Sequence, residues 1–166
     1  VKEKGMTLME LMVVISIIGI LAIALGFQFQ GWMGNYKVES QIRDMYADLL
    51  NARARAMQKN RMHFVSLATN QYTIYEDTNP APDGNETLET GSDTMVVQKT
   101  TDYNIVPALD GGVTQFNFNK DGLVSNNGTI RLSSTVTPDY DCIKLSNNIK
   151  INVGEWNAGS SDCDVK

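Results

Sequence analysis

The stretch KGMTLMELMVVISIIGILAIALGFQFQGWMGNY, residues 4–36, decides the architecture. From residue 11 to residue 36 it holds no charged side chain. As a helix that run is about 39 Å long, enough to cross the roughly 30 Å hydrocarbon layer of a bilayer. Lys2 and Lys4 precede it. The positive-inside bias then places the N-terminus in the cytoplasm and the rest of the chain on the far side. Glu10 stands at the front of the apolar run. An ionised carboxylate left unpaired at depth costs a few kcal/mol, so this position calls for a partner.

An ordinary membrane anchor, a secretory signal peptide and a buried core helix all account for an apolar run. The signal-peptide reading has a basic start and a small-x-small site at Ala22-Ile23-Ala24, which would release a plain secreted β domain. Glu10 counts against all three. The residues Lys4-Gly5-Met6-Thr7-Leu8-Met9-Glu10-Leu11-Met12-Val13-Val14-Ile15 resemble the prepilin signature shared by type IV pilins and type II secretion pseudopilins. That resemblance implies a leader of residues 1–5, cleavage after Gly5 by a prepilin peptidase, and N-methylation of Met6. It also implies that Glu10 guides assembly with other pilin or pseudopilin subunits. The subunit would start in the inner membrane and end in a pilus or pseudopilus. Met6 and Phe27 depart from the family, which more often has phenylalanine and proline there. The physical logic agrees, because an amine freed in the apolar layer and a nearby carboxylate are each costly alone and can be neutralised by a neighbouring subunit.

Residues 6–36 are thus expected to form a transmembrane or filament-core helix. The helix is expected to continue over 37–61, where Val38, Ile42, Met45, Leu49, Ala52 and Ala56 recur at spacings of four and three and make one apolar stripe. The segment Ala52-Arg53-Ala54-Arg55-Ala56-Met57-Gln58-Lys59-Asn60 resembles the end of this helix in H-type pseudopilins and FimT-type minor pilins. Over 62–166 the pattern changes to period two, as in Tyr72 and Ile74, Phe116 and Phe118, Ile130 and Leu132, Ile143 and Leu145, and Ile149, Ile151 and Val153. The fold class is therefore α+β, a long helix packed on an antiparallel two-layer β head. Residues 114–122 resemble the strand and turn before the last strands of the same H-type family. Residues 79–92 read as a long solvated loop, with Glu76, Asp77, Asp83, Glu86, Glu89 and Asp93 uninterrupted by a base.

The formal charge of −5 is unevenly placed. Residues 37–61 carry six bases against three acids, and residues 62–166 carry six against fourteen. An acidic head repels DNA, and no local cluster of bases is evident in the sequence. A DNA-binding, FimT-like minor pilin is the alternative function. Such proteins tend to carry a basic Gly-Arg-x-Arg motif where this chain has Asn148-Ile149-Lys150-Ile151. Cys142 and Cys163 lie outside any metal-ligand spacing. In an oxidising compartment they would pair, and closing the loop would contribute about 3 kcal/mol, whereas a reducing one would leave two thiols. His63, the single histidine, has no nucleophile motif beside it and is expected to be structural. Asp139, Asp141, Asp162 and Asp164 lack EF-hand spacing. No catalytic motif and no cofactor are expected.

Overall fold

The computed structural model describes residues 6–82, 84–146 and 148–166, and only the backbone of residues 24–30. Helix α1 runs unbroken over Leu8–Lys59. Thr7 caps its start, its hydroxyl accepting from the Glu10 N–H at 3.2 Å. Asn60 ends it in the left-handed region with φ 52°, its N–H returning to the Ala56 carbonyl.

Among the described residues nine strands form two antiparallel sheets. In one sheet the order is β3 (Thr94–Thr100), β2 (Gln71–Glu76), β1 (His63–Ala68), β5 (Gln115–Phe118). In the other it is β4 (Asn104–Leu109), β6 (Gly128–Ser133), β7 (Cys142–Ser146), β8 (Lys150–Asn157), β9 (Asp162–Val165). The chain is α+β, with the helix lying on both sheets.

The stripe Val38, Ile42, Met45, Leu49, Ala52 and Ala56 is buried along its whole length. It meets Val65, Ile74, Phe116 and Phe118 from one sheet and Ile130, Ile143, Leu145 and Ile151 from the other. Each large aliphatic side chain so buried contributes about 1.5–3 kcal/mol. Polar contacts also tie the helix to the first sheet: Tyr72 Oη donates to Asp48 Oδ2 at 2.6 Å, and Lys99 Nζ reaches the same oxygen at 2.7 Å.

Two sequence expectations change. Ile149 is 52% exposed and lies in the turn before β8, so its alternation with Ile151 is not that of a strand. The segment between β2 and β3 is not merely solvated. Asp77 and Asp93 are buried. Asp77 accepts from the N–H groups of Asn85 (3.2 Å) and Glu86 (2.7 Å), and Asp93 from those of Thr78 (3.1 Å), Asn79 (3.3 Å) and Glu89 (2.8 Å). These acids serve as internal backbone acceptors, a use that charge counting along the chain does not distinguish from solvation.

Candidate assembly interface

The apolar start of α1 is bare. Leu8, Met9, Ile15, Ile20 and Ile23 are among its large side chains exposed by more than half. Glu10 sits in the first turn of this surface, with no ion-pair partner among the described residues. Met6 is exposed next to Thr7. Gly5, with the rest of residues 1–5, lies outside the described residues. Among the described residues no helix is long and apolar enough to cross a membrane. The side chains at 24–30, in the middle of the uncharged run, lie outside that description.

The head takes hold of the helix at a neck. The loop between β6 and β7 closes on Gly34, where a Cβ would come within 2.9 Å of Val136 Cγ1. The Asp139 N–H donates to Glu39 Oε1 at 3.1 Å, the Asp102 N–H donates to Gln41 Oε1 at 3.2 Å, and Arg43 lies over the Tyr140 ring at 5.3 Å. Gly34 has a packing role that the sequence did not reveal, since its partner lies about a hundred residues away. Trp32 and Tyr36 stack at 6.4 Å and are exposed by about two-thirds, just where the helix leaves the head. Phe27 and Phe29 fall among the side chains outside the description.

Within the second sheet, Cys142 and Cys163 are joined by a disulfide with Cα atoms 6.0 Å apart. The bond spans from β7 to β9 across β8, where Gly154 faces Cys142 and Trp156 faces Cys163. Gly154 lets the β9 backbone approach β8 closely, because a Cβ there would run into the Asp164 carbonyl. The hairpin of β8 and β9 is pinned further by Lys144 on Asp162 at 2.5 Å and by Arg131 over the Trp156 ring at 4.6 Å. The Lys144 hydrogen bond holds the Asp162 carboxyl below its ordinary value. Burial pushes Asp141 up despite a 2.6 Å hydrogen bond from the Trp156 N–H. The four late aspartates thus have separate partners: Asp164 accepts from Asn157 and Asp139 faces Lys166. Among the described residues no group of three or more His, Cys, Asp or Glu is placed to hold a metal ion.

His63 is fully buried at the start of β1. Burial lowers its pKa, and its Nε2 is buried without a hydrogen-bond partner. Glu76, opposite it on β2, is bound by Lys59 at 2.5 Å and Arg61 at 3.2 Å. Burial raises the Glu76 pKa, but these two cations outweigh it and leave it below its ordinary value. Among the described residues no serine or cysteine hydrogen-bonds to the ring.

The geometry is that of a packing subunit: a covered half-helix, a bare apolar half-helix, and one acid at its tip. Known proteins place it. The prokaryotic N-terminal methylation motif matches residues 1–26, and the type II transport protein GspH family matches residues 41–149. The solved structure of the minor pseudopilin EpsH from the type 2 secretion system of Vibrio cholerae shares the fold, with a TM-score of 0.53 at 15% identity, covering 72% of this chain and 97% of that one. Comparison with curated proteins finds no match. The helix, the two sheets and both sequence matches agree, and the chain belongs to the GspH family of type II transport proteins.

Proposed function

We infer that this minor pseudopilin is cut after Gly5 by a prepilin peptidase and N-methylated at Met6. It is held in the inner membrane by α1 with its head on the far side. From there Glu10 draws it into a pseudopilus or pilus. The observation that carries this reading is the bare apolar surface of α1 with Glu10 at its front. In water such a surface is a liability, and in a bilayer or a bundle of like helices it is satisfied. The new amine of one subunit and the Glu10 carboxylate of its neighbour would then neutralise each other, favouring one axial register between helices. The proposed role is mechanical, carried out by packing.

The processing step is tested by intact-mass and N-terminal analysis of the protein purified from its own membranes. A chain that starts at methylated Met6 is expected. A start at Leu25, after the signal-peptidase-like site, or retention of residues 1–5 would contradict it.

A further inference from the structure

Two open sheets leave four strand edges, and three of them are guarded. Beside β5, the Asn117 carbonyl accepts from the Ser125 N–H at 3.0 Å, and the Asn117 N–H donates to Ser125 Oγ at 3.0 Å. On β4, Pro107 has no N–H to offer, and the Ile105 N–H donates to the Thr69 carbonyl at 2.6 Å. β9 is only four residues long and carries Asp162 and Asp164. Proline, short length and charge are the common protections of an edge. The outer edge of β3 is different. Val96 is an extra, bulged residue, and past it residues 97–100 run in regular register against β2. The one charged side chain there, Lys99, reaches across to α1 and is held by Asp48 at 2.7 Å. The Thr101 N–H donates to the Asn70 carbonyl at 2.8 Å, so by the alternation of an antiparallel ladder residues 99 and 97 also turn their peptide groups to β2. The N–H and C=O groups of Gln98 and Thr100 therefore point away from the sheet.

Beneath that edge lies one flank of α1. Gln41 accepts from the Asp102 N–H at 3.2 Å and Asp48 holds Lys99, so Asp44, between them at spacings of three and four, faces the same side. Asp44 and Asp102 are exposed and form no ion pair among the described residues. Arg43 turns the other way, to Glu39 and the Tyr140 ring. Lys37 and Arg55, the free cations of this flank, stand about 10 and about 16 Å along the axis from Asp44. Both distances exceed the screening length of roughly 8 Å in physiological salt. The open edge thus has an acidic floor.

We propose that the β3 edge is a docking site for an extended, basic segment of a different protein, added to this four-stranded sheet as one more strand. A row of backbone donors and acceptors is satisfied by another backbone, which fixes the partner as a strand. Side chains level with one another across a sheet point to one face, so the partner residue opposite Lys99 lies over the Asp44 flank, and a lysine or arginine is favoured there. β1 and β5 are themselves joined over four residues, so the open length suffices. A second copy does not fit: the cation of its own β3 is already held by Asp48, and its other edges are guarded. The proposal goes beyond the filament reading and requires neither cleavage after Gly5 nor pairing at Glu10.

The test places a photo-cross-linking phenylalanine at position 100 of the full chain in its native membranes. An adduct with a different protein, mapped to a segment that carries lysine or arginine, is expected. Gln98→Pro removes an N–H that points away from the sheet, so it should leave head unfolding unchanged and lower the adduct at least tenfold. Gln98→Ala keeps that N–H and should keep the adduct, which separates backbone pairing from side-chain contact. Asp44→Lys, at an exposed position, should lower the adduct several-fold, and it decides alone if Gln98→Pro unfolds the head. An adduct with a second copy, an adduct that survives these two substitutions, or no adduct at all overturns the proposal. Filament entry is scored in the same cells. A chain that enters filaments without the adduct refutes the docking site alone, and an adduct from a chain that never enters them upholds the site and refutes the filament reading.

Discussion

Along one uninterrupted helix, apolar side chains have two different settings. Val38, Ile42, Met45, Leu49 and Ala56 are fully buried against the chain's own sheets, whereas Leu8, Met9, Ile20 and Ile23 are more than half exposed. Backbone geometry is the same in both halves, so the difference lies in what each half was patterned to meet. A single stripe at spacings of four and three fits one flat neighbour, the β head. A helix apolar on all sides fits surroundings that are apolar on all sides, which means lipid or other helices. Stability of the head and assembly of the filament should therefore respond to different residues.

The sharpest contrast comes from charge placed in the covered half. Ile42→Asp buries an unpaired carboxylate and should cost upwards of about 4 kcal/mol, read as loss of cooperative head unfolding of the full chain in detergent. Survival of that transition would mean that the stripe is not the core. Replacing Cys142 and Cys163 together by serine should lower head stability by about 3 kcal/mol with assembly otherwise intact. Because the disulfide pins the β8 and β9 hairpin, the lost protection in hydrogen exchange should concentrate there.

A smaller effect is expected from pH. Burial keeps His63 neutral in the folded head, so its pKa lies below the ordinary 6.5. As pH falls through 6.5 the unfolded chain gains a proton that the folded chain refuses, and stability drops. Glu76, lowered from 4.5, adds a further loss as pH falls through its folded value. Asp141, raised by burial, works against this trend in the acid range, since the folded form holds its proton longer. Calorimetry of His63→Gln should show the first loss removed, and an unchanged pH profile would rule out His63 as its source. Smallest of all, Leu11→Ala in the bare half should shift head unfolding by no more than about 0.5 kcal/mol. A large shift there would show the two halves to be energetically linked.

What the sequence made legible follows the range of the forces involved. The stripe from Val38 to Ala56 and the strand pairs such as Ile130 and Leu132 are local periodicities, and they lie in the structure where their spacing puts them. The neck is different. Gly34 meets Val136, and Glu39 meets Asp139, across about a hundred residues, which no window of neighbouring positions encodes. Asp77 and Asp93 look like solvated acids until the turns around them are seen to aim N–H groups at their carboxylates. The Arg53 hydrogen bond to the Ile149 carbonyl likewise joins α1 to the turn before β8 across 96 residues. Glu10 prompts the assembly proposal for the opposite reason. A lone charge in an apolar run is a local anomaly, legible without any tertiary contact.

That carboxylate is the residue on which the proposed assembly most depends. Glu10→Ala should leave the head's unfolding transition and membrane insertion unchanged, while the fraction of the chain recovered in sheared filaments falls at least tenfold against the native chain. Recovery of Glu10→Ala in filaments at the native level would contradict the pairing on which the assembly argument stands.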